Sequence, residues 1–79
     1  MEAVETQVID IIAGVLRPKN ADVAVADSSM MGDPFEWDSL AFVEIFLAVS
    51  GHFELEVSDD DAISFMSVPE IVEFVSERI

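Results

Sequence analysis

From Ser39 to Ser50 the chain carries a single charge, Glu44, in a run otherwise built of apolar and small residues. Leu40, Val43, Phe46 and Leu47 fall on one helical face, and Phe42, Ile45 and Val49 fall on another. A helix that is apolar nearly all round either lies at the centre of a core or keeps one face for a partner. With only 79 residues, the chain can build one modest core and cannot cover every face of such a helix. Phe42, Ile45, Phe46 and Val49 are therefore expected to offer apolar surface beyond what the core needs. The chain has no cysteine, which removes disulfides and any cysteine-built metal site. Stability must come from helix packing around this central element.

The flanking sequence supplies the other helices. Val4, Val8, Ile11, Ile12, Val15 and Leu16 recur at helical spacing from about Ala3 to Leu16. Pro18 disfavours helix at Arg17, and the basic Arg17 and Lys19 suit the C-terminal end of the dipole. Pro18 to Asp38 is a long stretch rich in turn formers, with apolar anchors at Val23, Val25, Met30, Met31, Phe35 and Trp37. It reads as a packed loop with a short helical turn near Ser28 to Met31. Val23-Ala24-Val25 is compatible with a short strand.

Gly51 is placed to end the central helix as a C-cap. Phe53-Glu54-Leu55-Glu56-Val57 alternates like an extended connector, with three apolar side chains on one side. A short helix is expected over Asp60 to Phe65, capped by Ser58 or Asp59. The acidic run there lacks the spaced ligands and glycine of a calcium loop, so no metal site is expected. Ser67 and Glu70 fit a capping box opening a last helix, with Pro69 in its first turn. Val68, Ile71, Val72, Val75 and Ile79 would be its buried stripe. The expected architecture is all-α: one domain over residues 1–79, with three longer helices, one short one and a long loop between the first two.

Seventeen acidic residues against three basic ones give a net charge of −14. Such a surface repels nucleic acid and anionic membranes and favours partners with basic patches. Hydrophobic residues at 52% exclude general disorder. No apolar run reaches membrane-spanning length, and Met1-Glu2-Ala3-Val4-Glu5 lacks the basic start of a signal peptide. A cytoplasmic monomer is expected.

Asp38 is a good N-cap, so Ser39 opens the central helix, exposed in its first turn. The free N–H groups and dipole there favour an anion. A nucleophilic role would need a base, yet the one histidine, His52, lies about 20 Å away along the same helix and is expected at its end, against terminal carbonyls. Asp38-Ser39-Leu40, followed by Val43-Glu44, resembles the acyl carrier protein family and its relatives the peptidyl carrier domains. The order of helix, long loop, D-S-L helix, connector Phe53–Val57 and capped Ser67-Val68-Pro69-Glu70-Ile71 is similar to that family over nearly the whole chain.

The resemblance implies a carrier without catalysis of its own. Ser39 would bear a phosphopantetheine arm, transferred from coenzyme A by a phosphopantetheinyl transferase, whose thiol holds acyl groups as thioesters. Asp38 would cap the helix beside it. Trp37, Leu40, Phe42, Val43 and Glu44 would meet partners: a ketosynthase, acyltransferase or acyl-activating enzyme with a basic and apolar docking patch. Trp37, which stands near where the family often has a glycine, would shield the arm attachment or pack under the loop. Family members of fatty acid synthesis usually carry several acids along this helix, whereas here only Glu44 remains. That departure implies a dedicated fatty acid or polyketide-type pathway. An aminoacyl or peptidyl carrier is the nearest alternative, and an acidic helical adaptor without a prosthetic group is the alternative from another class.

Overall fold

The computed structural model describes residues 3–79; Met1 and Glu2, part of the acidic N-terminal segment, lie outside the described residues. Helix α1, Val4–Leu16, buries Val8, Ile12, Ala13 and Leu16 along one stripe. Ala3 precedes it in extended conformation. Its end is closed by Arg17 N–H on Ala13 O at 2.9 Å, and by Lys19 and Asn20 N–H on Leu16 O at 2.9 and 3.2 Å.

Helix α2, Ser39–His52, is the central element. It outruns the expected end by two residues, so Gly51 lies inside the helix and is not its cap. Glu54 takes the left-handed conformation instead (φ 54°). That turn brings Leu55 N–H onto Ser50 O at 2.9 Å, which satisfies an end carbonyl. Phe53, Leu55 and Val57 then lean on the core while Glu54 and Glu56 face outward, as the alternation anticipates.

The short third element is a 3₁₀ helix, Asp59–Phe65, one residue longer than expected. Ser58 fixes its start by donating from N–H (2.9 Å) and Oγ (3.3 Å) to Asp61 Oδ2. Helix α3, Val68–Ser76, opens on the expected capping box. Glu70 N–H donates to Ser67 Oγ at 3.3 Å, and Ser67 Oγ donates to Glu70 Oε1 at 2.9 Å. Its buried side is Val68, Ile71, Phe74 and Val75. Ile79, expected in that stripe, is exposed because the helix stops at Ser76. Phe74 takes the place in the core.

Helix α1 packs on both α2 and α3, and the 3₁₀ helix joins α2 to α3. Phe65 makes that joint, edge-on to Phe46 at 4.8 Å and to Phe74 at 5.0 Å. Arg78 seals the outer side, its guanidinium 3.6 Å from the Phe74 ring centre.

The long loop is pinned rather than free. Met31 N–H donates to Met66 O at 2.8 Å, and Val68 N–H donates to Ser29 O at 2.9 Å. Met30 and Asp33 exchange backbone bonds at 2.8 Å around Gly32, whose φ of 92° suits a residue without a side chain. Turns replace the expected helical turn, and Val23 and Val25 rest half-buried on the core without forming a strand. Trp37 plugs the loop into the bundle, fully buried, and its indole N–H meets no acceptor among the described residues.

Candidate functional site

Ser39 is the first residue of α2 and is exposed. Asp38 caps the helix as expected: its Oδ1 accepts from Ala41 N–H at 2.9 Å, and its carbonyl accepts from Phe42 N–H at 2.9 Å. Helical geometry leaves the earliest N–H groups without intrahelical acceptors, so the Ser39 hydroxyl projects from a positive dipole end. An exposed hydroxyl at that end, with a cation held on the residue before it, fits a covalently attached phosphodiester.

The cation is Lys19. Its Nζ lies 2.9 and 2.8 Å from the two carboxylate oxygens of Asp38. Next to it, Asn20 Nδ2 donates to Glu36 Oε2 at 2.8 Å. The turn that follows α1 therefore holds both Glu36 and Asp38, the two acids just before Ser39. The Ala41 N–H bond, then the Lys19 contact, hold the Asp38 carboxyl below the ordinary carboxylate range. The Asn20 bond, then its own backbone N–H, do the same for Glu36. Sequence reasoning assigned Lys19 only to the helix dipole, because nothing local couples residues 19 apart.

Along α2 the apolar residues divide sharply. Ala41, Ile45 and Val49 are fully buried, while Leu40, Val43 and Leu47 are 62%, 48% and 63% exposed. The expectation that Ile45 and Val49 supply surplus surface is thus overturned, since both belong to the buried core. Phe42 and Phe46 are half-buried and packed against that core. Trp37 is at 0% exposure and has no surface to give a partner; it packs under the loop. Glu44 is exposed. Leu47, on the face of Leu40 and Val43 but outside the expected partner set, is as exposed as Leu40. Ile63 and Met66, exposed on and just after the 3₁₀ helix, carried no sequence signal because that helix shows no usable period.

His52 sits at the far end of α2 from Ser39, with Nε2 3.0 Å from Gln7 Oε1 and its ring edge-on to Phe53. It ties α2 to α1, where contact with helix-end carbonyls was expected. Among the described residues no group of three or more possible ligands gathers to hold a metal.

The family described as "Phosphopantetheine attachment site" matches residues 6–75. The acyl carrier protein of Desulforapulum autotrophicum is 29% identical over 96% of this chain and 97% of its own length. The acyl carrier proteins of Rickettsia canadensis and Rickettsia rickettsii are each 27% identical over 98% of this chain and 87% of theirs. The match runs from the first turn of α1 to the last of α3. The chain therefore belongs to the phosphopantetheine attachment family: it is a carrier with phosphopantetheine as its covalent prosthetic group, worked on by other enzymes and not itself a catalyst.

Proposed function

We propose that residues 1–79 act as one acyl carrier domain, with Ser39 the residue that bears the arm. One observation carries this reading: an exposed serine opens α2, followed on the same helix by exposed Leu40, Val43 and Leu47. The arm supplies the thiol that holds the cargo. The chain's own residues set where the arm leaves the protein and what an approaching enzyme meets. Asp38 fixes the helix start, and Leu40, Val43 and Leu47 offer apolar contacts beside it. Glu44 is the one charge on α2, so most guidance of a basic partner comes from acids flanking the helix. That distribution favours a dedicated fatty acid or polyketide-type pathway with its own ketosynthase, acyltransferase or acyl-activating enzyme. The names of the relatives favour acyl over aminoacyl cargo. Dependence on coenzyme A is our reason for assigning the work to the cytoplasm.

The test is intact mass after incubation with coenzyme A, magnesium and a broad-specificity phosphopantetheinyl transferase. The wild type gains one phosphopantetheine and Ser39→Ala gains none. A wild type left unmodified under conditions that load a control carrier would sink the assignment.

A further inference from the structure

Only three residues of this chain are basic, and one of them is committed to the acid beside Ser39. The commitment is built in. Lys19 and Asn20 are held by backbone bonds to Leu16 O, and Asn20 Oδ1 also accepts from Asp22 N–H at 3.1 Å. Both side chains then reach across to Asp38 and Glu36.

Local geometry does not need this grip. Trp37 is buried, Gly32 N–H donates to Trp37 O at 2.8 Å, and Trp37 N–H donates to Pro34 O at 3.0 Å. Asp38 caps α2 by accepting from Ala41 N–H at 2.9 Å, a bond within four residues that does not involve Lys19. The ion pair is also solvent-accessible, with side-chain exposures of 28% and 54%, and pairs of that kind add little stability. What Lys19 does supply is positive charge on Asp38, the residue before Ser39, on a molecule of net charge −14.

We infer that Lys19 is a positioning residue at the base of the arm, its ammonium balancing the Asp38 carboxylate and the phosphodiester on Ser39 together. This rests on Ser39 as the attachment point. Loading places a second anion one residue from Asp38, where the two repel. An ammonium has three donors, and two bonds to Asp38 leave the third for a phosphodiester oxygen. The balance holds the root of the arm against the end of α1 while its far end stays mobile.

The experiment compares apo and loaded forms of the wild type, Lys19→Met, Lys19→Arg and Arg17→Met. Mass and peptide mapping first establish loading at Ser39; a wild type that does not load there refutes the attachment reading itself. The phosphorus NMR shift of the loaded arm is then measured at low salt. It moves in Lys19→Met, returns towards the wild-type value in Lys19→Arg, and stays put in Arg17→Met. Loading also lowers the thermal midpoint of Lys19→Met by about 2–4 °C more than that of the wild type, and the gap closes in high salt. An unchanged phosphorus shift in Lys19→Met overturns the inference whatever the midpoints do. An equal change in Arg17→Met reduces the effect to net charge and also overturns it. A Lys19→Met protein that stays unloaded where the wild type loads assigns the lysine to transferase recognition and overturns the positioning role in the same way.

Discussion

Asp38 serves two partners with one carboxylate, capping α2 through Ala41 N–H and pairing with Lys19. Both interactions are stronger with the ionised form, so the folded protein holds this group below its ordinary value. The sign follows. A depressed carboxyl contributes stability above its unfolded value of about 4, and that contribution is lost as pH falls through the lower folded value. Glu36 acts in the same direction through Asn20. Thermal midpoints across pH 2–6 should therefore drop in acid for the wild type, and less steeply for Asp38→Ala, which starts lower at neutral pH. Identical slopes would show that the cap is not ionised in the way described. Asp38 as the cap and Ser39 as the exposed first residue of α2 were legible in the sequence because capping is a rule about neighbours. Lys19 was not, because its partner lies across the whole loop and no periodicity records a contact of that kind.

At the scale of elements, α2 shows what periodicity can and cannot tell. Its near-continuous apolar run identified the central helix, but a run without polar breaks cannot say which face turns inward. Packing by α1 and the 3₁₀ helix decides that, burying Ile45 and Val49 and leaving Leu40, Val43 and Leu47 outside. The contrast predicts two unlike outcomes two residues apart. Ile45→Ala should cost about 2–5 kcal/mol in denaturant unfolding, through lost burial and a cavity. Leu47→Ala should stay within about 0.5 kcal/mol of the wild type. Similar losses for both would mean that Leu47 is packed. Ser67→Ala should remove about 0.5–2 kcal/mol by the same measurement, since it strips the cap from α3. That cap and the α1 stripe were readable from the sequence. The tight 3₁₀ geometry, the switch from Ile79 to Phe74 and the extension of α2 past Gly51 were not, because each depends on tertiary contacts at an element's end.

Over the whole molecule, a charge of −14 on a radius of gyration of 11.4 Å makes self-repulsion a property of the fold. Sodium chloride should screen it and raise the thermal midpoint; a flat or falling midpoint would mean that the acids are already well spaced. The same charge governs how a partner arrives. On the proposed docking face, a basic enzyme would feel the field before it touches the protein, whereas the exposed Leu40, Val43 and Leu47 would act only once covered. The two contributions should therefore separate in binding kinetics with the true partner. Leu47→Ala or Val43→Ala should chiefly speed dissociation, with little change at the association step. Glu44→Lys or Asp59→Lys should chiefly slow association, most at low salt, and the difference should shrink as ionic strength rises. Because α2 bears one charge where a more acidic helix would bear several, the apolar term should weigh heavily in partner choice. Turnover of the loaded protein by a housekeeping fatty acid ketosynthase, set against enzymes encoded beside it, reads that balance directly. Dedicated enzymes should prevail. Equal use by the housekeeping enzyme would defeat the specialised reading and make the bare helix a tolerated variation.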